Sequence, residues 1–255
     1  MTFNDLWHYG IALSESIIPN SFYSTYMVLA PILCAVIAYL VGSINFSLLI
    51  SSKKGDDVRK YGSGNAGATN MMRVYGKKYA YITFLGDFGK AVLVCFIARI
   101  LFGDPGAYIA GLFCIVGHAF PLYFNFKGGK GVSVFVGFGL MTEPILTLIL
   151  LLLWVAILFG FKMVSLASVM VAMVYPFALY MWYHLTRGQE YGMWFLFAFL
   201  IGCVIVFLHR QNLVRIFNHT EHKFKLKKKT KEDTEKSSNS EVEKTEEDSN
   251  QNEEK

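Results

Sequence analysis

Two short stretches combine the residue types that hold an anion. Residues 62–70 read GSGNAGATN: Gly62, Gly64 and Gly67 permit close backbone approach, Ser63 and Thr69 bring hydroxyls, Asn65 and Asn70 bring amides, and Arg73 follows. Backbone N–H groups in such a loop, or at the start of the helix expected after it, suit a phosphate, and a guanidinium adds a two-pronged donor. Residues 127–131 read KGGKG and set Lys127 and Lys130 among Gly128, Gly129 and Gly131, directly before an apolar helix. Lysines that only oriented a membrane span would need no glycines, whereas two lysines at a helix N-terminus make an anion site. The spacing is not that of a nucleotide-binding P-loop, because Gly131 follows Lys130 where Ser or Thr would stand.

Other polar groups lie within or beside apolar runs, where an ionisable side chain is costly and usually serves a site or a partner. Asp87 and Lys90, in LGDFGKA, share a helix face and can pair, so a structural ion pair and a substrate contact are both open. His118, in GHAFP, reads as a hydrogen-bonded interior histidine or as a site group. For Ser165 and Ser168, in VSLAS, a hydroxyl bonded to its own helix is the plain alternative to a site role. In HRQNLVR, an amphipathic membrane-surface segment accounts for Arg210 and Arg215 better than for His209 and Asn212. Cys34, Cys95, Cys114 and Cys203 stand singly in apolar runs and read as packing residues, so neither a metal nor a cofactor is expected.

The elements that must position these groups are membrane helices. Hydrophobic residues make up 54% of the 255 and charged ones 17%, with the charge gathered in loops and the last forty residues. This is the composition of an integral membrane protein, without a nucleic-acid partner. Apolar runs at 26–50, 79–102, 107–124, 132–141, 145–161, 164–183 and 191–208 mostly approach the roughly 20 residues that a spanning helix needs. The alternation of barrel strands is absent. Lys and Arg concentrate after the first run, around Lys127 and Lys130, at Lys162 and after residue 208, while the turns at 103–106 and 142–144 carry none. The positive-inside rule then puts both glycine stretches on the cytoplasmic side, with Arg187 as the one violation.

The expected architecture is an all-α, polytopic seven-transmembrane-helix bundle with its N-terminus outside. Its parts are an extracellular N-terminal extension (1–25), the membrane domain (26–210), a cytoplasmic membrane-surface segment (211–224) and a charged, disordered cytoplasmic tail (225–255). The run 132–141 is short for a crossing, and a five-span arrangement would keep the same sidedness. The first 24 residues lack a positive n-region, so a cleavable signal peptide is not expected.

Long strings in this chain resemble the bacterial membrane-integral glycerol-3-phosphate acyltransferases that use acyl phosphate as donor. They are GSINFS at 42–47, VRKYGSGNAGATNMMRVYGKK at 58–78, GHAFPLYFNFKGGKGVS at 117–133, VSLAS at 164–168 and HRQNLVRIFNHTEHKF at 209–224. The resemblance covers roughly residues 30–224 in the family's order. Asn45 and Ser47 replace a Pro and a Gly common in the first string, Ala91 a Gly, and Leu208 an Arg. It implies transfer of an acyl group from acyl phosphate to the 1-position of glycerol 3-phosphate at the cytoplasmic face of the plasma membrane, giving lysophosphatidic acid and phosphate. Implied partners are these two substrates, membrane lipid and, through supply, the enzyme that makes acyl phosphate. By motif, Ser63, Arg73, Lys130, Ser168, His209 and Asn212 are the implied catalytic residues. Gly62, Gly64, Asn65, Gly67, Asn70, Lys127, Gly128, Gly129 and Gly131 form the phosphate loops, and Asp87, Lys90 and His118 support them.

The chain shows no GxSxG elbow, no Cys beside a His in sequence and no H-x-x-x-x-D pair, so direct transfer is expected over a covalent intermediate. A membrane carrier for an organic phosphate is the alternative. It would place its binding groups near the bilayer midplane, whereas here most gather at one interface.

Overall fold

The structure is a computed structural model that describes residues 20–187 and 192–224, with side chains from 28 onward except around the 187–192 gap. The chain divides into Met1–His222 and Lys223–Lys255. Expectations for most of the N-terminal extension, for the loop after Arg187 and for the tail 225–255 fall outside the described residues.

All regular structure among the described residues is helical. Helix α1 (Asn20–Gly42) is followed by α2 (Phe46–Lys53), a 3-10 turn (Val58–Lys60), α3 (Ala68–Tyr75) and the long α4 (Lys77–Ala119). A second 3-10 turn (Leu122–Phe124) leads to α5 (Val132–Thr142), α6 (Pro144–Phe161), α7 (Val164–Arg187), α8 (Gly192–Leu208) and α9 (Arg210–Phe217). Among the described residues the apolar stretches Val28–Lys53, Pro144–Phe161 and Val164–Thr186 are each long enough to cross a membrane, and the apolar Met193–Leu208 is followed by Arg210–Phe217 across a 59° bend. Large apolar side chains such as Leu29, Leu33, Leu152 and Phe177 are exposed along these helices, as a lipid-facing surface requires.

Two boundaries differ from expectation. The first run is broken at 43–45, where the Asn45 side chain accepts the Leu48 N–H at 3.2 Å and caps α2. The run expected to reach residue 124 stops at Ala119, because Pro121 cannot donate a helical hydrogen bond. The turn at 103–106 is a hinge within α4: Gly103 adopts φ 64° and ψ −152°, which a side chain would oppose, and the two arms run over 77–102 and 104–119. As expected, α5 is short. At 11 residues it measures about 16 Å, roughly half the hydrocarbon thickness.

Small residues let the helices touch backbone to backbone, which is how packing is gained where lipid removes the hydrophobic drive between spans. A Cβ on Gly117 would lie 2.2 Å from the Tyr39 carbonyl oxygen, and one on Gly42 would lie 2.4 Å from that of Cys114. At this contact sits a buried polar knot. Lys90 Nζ donates to Gly42 O at 2.8 Å, to Ile44 O and to Asp87 Oδ1 at 2.9 Å, and lies 3.2 Å from His118 Nδ1. Of the two roles open for Asp87 and Lys90, the geometry favours the ion pair. At the opposite end, fully buried Arg99 pairs with Asp104 across the hinge and binds the Met141 and Thr142 carbonyls, and Trp182 donates to Glu143 at 3.0 Å. Between the two polar layers lies an aromatic core of Tyr108, Phe135, Phe138 and Tyr175.

Gly117→Val should force α1 off α4 and cost about 1–3 kcal/mol, as overpacking typically does. Thermal unfolding in lipid nanodiscs checks this, and an unchanged midpoint would show that the close approach is dispensable.

Candidate active site

The loop at 62–70 is shaped from within. Asn70 is buried, accepts the Ser63 N–H at 2.9 Å and donates to the Val58 and Tyr61 carbonyls at 3.0 and 3.1 Å. Its amide is thereby used by the loop itself and is turned away from any anion. Gly62 has φ 60°, and a Cβ there would meet Asn70 Oδ1 at 2.3 Å. Gly67 caps α3, which carries Arg73 one turn and a half further on.

The loop at 127–131 is set by the end of α4. Gly128 N–H donates to Ala119 O at 3.0 Å and Gly129 N–H to His118 O at 3.1 Å, completing the helix's terminal carbonyls. A Cβ on Gly128 would lie 2.0 Å from His118 O. One on Gly129 would lie 2.2 Å from His118 Nε2 and 2.5 Å from Ala66 O. These glycines let the two loops touch each other and rest on His118, and their amides are not free for phosphate. The part of this loop aimed at chemistry is Lys130, just before the N-terminus of α5. The Lys127 side chain is exposed, and its carbonyl accepts from Arg59 at 2.7 Å.

Lys130 reaches across to α9, where its ammonium donates to Asn212 Oδ1. Asn212 Nδ2 donates to Glu221 Oε1 at 2.7 Å, Ser165 Oγ donates to the same oxygen at 2.8 Å, and Arg215 Nε donates to Glu221 Oε2 at 2.8 Å. One relay therefore joins the glycine loop before α5, the start of α7, the first turn of α9 and Glu221 just beyond that helix. Sequence alone assigns Glu221 no role. The available signal was that it is the single acidic residue between 209 and 224.

His209 is buried, and its Nδ1 lies 2.8 Å from the Ile205 carbonyl. A carbonyl only accepts, so Nδ1 carries the proton and Nε2 keeps its lone pair. Ser168 donates to Val164 O at 2.8 Å and accepts the Trp154 indole N–H at 3.1 Å, which leaves no base to activate it as a nucleophile. The structure thus gathers Lys130, His209 and Asn212, with Arg73 close enough for its charge to act on Lys130. Among the described residues no hydrogen bond joins Ser63, Ser168 or Lys127 to this group; their partners are Asn70, Val164 and Trp154, and Arg59.

Charge follows from these neighbours. Burial first, then the like charges of Arg215 and Arg73, lower the Lys130 ammonium to about 8, with Glu221 opposing. Burial and the charge of Lys130 lower His209 to about 4, so the imidazole is neutral at pH 7. Burial works to raise the Glu221 carboxyl, yet hydrogen bonds from Arg215, Asn212 and Ser165 outweigh it and hold the group below the usual range. Beside this cluster an apolar cavity of about 230 Å³ opens between α4, α5, α6, α7 and α8. Its lining includes Val132, two residues after Lys130, together with Ser168, Phe135, Thr147 and Tyr175. A cationic cluster one turn or less along the chain from residues that line an oily slot suits an amphiphile with an anionic head.

The family model for glycerol-3-phosphate acyltransferases matches residues 32–219. The glycerol-3-phosphate acyltransferase of Alkaliphilus metalliredigens is 35% identical over 193 residues, which cover 75% of this chain and 95% of that protein. The Aquifex aeolicus enzyme of the same name is 38% identical over 191 residues, 74% of this chain and 96% of its own. Among solved structures, PlsY, an integral membrane glycerol 3-phosphate acyltransferase, matches in its glycerol 3-phosphate form with a TM-score of 0.69 at 34% identity. That match covers 76% of this chain and 96% of the other. The lysophosphatidic acid form of PlsY matches with a TM-score of 0.67.

Because Lys130 loses its proton near pH 8, inorganic phosphate should bind more weakly as pH rises through that value. In Lys130→Met the binding should be weak throughout and should lose this part of its pH dependence. Calorimetric titration between pH 6.5 and 9.5 checks it, and a wild-type affinity that is flat across pH 8 would remove Lys130 from the anion site.

Proposed function

The chain belongs to the glycerol-3-phosphate acyltransferase family, and from that premise we propose that it moves a fatty acyl group from acyl phosphate to the 1-position of glycerol 3-phosphate. The products are lysophosphatidic acid and inorganic phosphate. The observation that carries this reading is the convergence of Lys130, Arg73 and Arg215 beside an apolar cavity. Cations meet phosphate there, and the cavity takes an acyl chain.

Acyl phosphate is an activated anhydride, so the protein has to neutralise two anions, align a hydroxyl with the carbonyl and keep water out. The 1-hydroxyl oxygen forms a bond to the acyl carbon, the bond from that carbon to the phosphate oxygen breaks, and the hydroxyl proton leaves on the departing phosphate. Arg73 and Lys130 hold the charge, with the Ser63 hydroxyl and the Asn65 amide contributed by the first loop. Asn212 orients Lys130. His209, neutral with Nε2 unprotonated, positions the hydroxyl. Its low proton affinity favours phosphate over imidazole as the final acceptor.

We assign seven membrane segments: 28–53, the two arms of α4, the short α5, α6, α7 and α8, with α9 lying on the surface. The relay through Glu221 puts the loop before α5, the α6–α7 turn with Lys162 and the end of α8 on one side. That side carries the positive loops, which argues for the cytoplasm. The start of α1 and the hinge at Gly103 then face outward.

Protein in lipid, given labelled glycerol 3-phosphate with either palmitoyl phosphate or palmitoyl-CoA, should yield lysophosphatidic acid from the phosphate donor. Product from neither, with uptake of glycerol 3-phosphate into vesicles, would point to a carrier. His209→Ala should lower kcat/KM by about 2 kcal/mol, roughly thirty-fold, which is the scale of one lost positioning hydrogen bond. A loss above about 4 kcal/mol with glycerol 3-phosphate affinity intact would make His209 the base instead.

A further inference from the structure

Arg59 lies outside the assigned machinery, yet it is the side chain that joins the two glycine loops. Its Nε lies 2.9 and 3.0 Å from the two carboxylate oxygens of Asp57, and its Nη2 donates to Asp57 Oδ2 at 2.8 Å. Nη1 turns the other way and donates to Lys127 O at 2.7 Å and Phe124 O at 3.2 Å. Asp57 is itself fixed, because it caps the 3-10 turn leading into the first loop by accepting the Arg59 N–H at 3.0 Å. The two carbonyls bracket Asn125 and Phe126, which both adopt φ 56°. Two successive non-glycine residues in the left-handed region are costly and persist only where the surroundings hold them. Both side chains are exposed, and the turn is held by backbone bonds from Phe126 N–H to Pro121 O at 3.0 Å and Lys127 N–H to Phe124 O at 3.3 Å together with the Arg59 fork.

We propose that Arg59 is a positioning residue that clamps the loop carrying Lys127 and Lys130 in a strained shape and so holds Lys130 at the anion site. The planar guanidinium fork is well matched to the clamp, because one edge is fixed on a carboxylate while the other gathers two carbonyls that face it. It also makes the two loops one unit, because the clamp is anchored on the turn that starts the first loop and closes on the backbone of the second. Without it, residues 124–127 relax toward right-handed or extended backbone, and Lys130 leaves its place near Asn212. The proposal rests on the reading of that loop as a phosphate site.

The test uses the full chain in lipid and four variants: Arg59→Gln, Arg59→Lys, the pair Asn125→Gly/Phe126→Gly, and that pair combined with Arg59→Gln. In Arg59→Gln, KM for glycerol 3-phosphate or for palmitoyl phosphate should rise at least about ten-fold, with kcat within about three-fold. Arg59→Lys should not rescue, since a point-like ammonium lacks the two opposed edges with which the planar guanidinium faces Asp57 on one side and the Phe124 and Lys127 carbonyls on the other. The glycine pair alone should change little. Added to Arg59→Gln it should bring KM back to within about three-fold of wild type, because glycine removes the strain that the clamp holds. A merely structural arginine would not be rescued by flexible residues in another loop. Unchanged KM in Arg59→Gln, a fall in kcat with both KM values intact, or failure of the glycines to restore KM would each overturn the clamp. A wild-type protein that makes no product counts against acyl transfer instead. In that case the clamp is read from the rise in unfolding temperature produced by glycerol 3-phosphate, which should shrink in Arg59→Gln and return with the glycine pair.

Discussion

The ammonium of Lys90 is the contact on which both loops depend. A lysine offers three protons, and here they are drawn to the carbonyls of Gly42 and Ile44 at the broken end of α1, the carboxylate of Asp87 and the ring of His118. Carbonyls at a helix end within lipid have no water to turn to, so an internal donor must serve them. Because Lys90 does so, α1 stops at Gly42, α2 starts afresh at Asn45, and the chain is delivered to the first glycine loop. The same knot fixes His118, and His118 is the surface on which Gly129 rests. Removing one partner of such a buried group is costly because the other is left uncompensated.

A second buried charge balances the site. Lys130, Arg73 and Arg215 come together from three parts of the chain, and unaided they would repel one another. Glu221 offsets part of that repulsion and uses hydrogen bonds from Ser165, Asn212 and Arg215 to stay ionised despite burial. Net positive charge remains, and Lys130 is left with a weakened hold on its own proton. The cluster is therefore a balance between gathering cations closely and keeping them charged.

Glycine has three distinct uses in these loops. At Gly62 it supplies a left-handed backbone beside the Asn70 side chain. At Gly128 and Gly129 it permits contact between loops that any Cβ would forbid. At Gly131 a left-handed residue caps α5 directly after Lys130. A single sequence pattern rich in glycine therefore mixes residues that shape the loops with residues that face the ligand.

Much was legible in the sequence. Apolar runs located the helices, since lipid demands about 20 such residues per crossing; the hinge at 103–106 was marked by Gly and Pro, and the polar strings singled out both loops, Arg73, Lys130, His209 and Asn212. These are local properties: composition, periodicity and the backbone freedom of glycine. The break at 43–45 was not legible, because it is decided by Lys90, which lies on another helix. Nor were the inward turn of Asn70, the relay through Glu221 or the reach of Arg59 from the first loop to the second. Each of these depends on which groups meet after the helices pack. A hydrogen bond or ion pair between distant residues leaves no spacing in the chain to read, so the sequence determined the elements and the chemistry available, and tertiary packing decided which side chains hold the site and which are left to act.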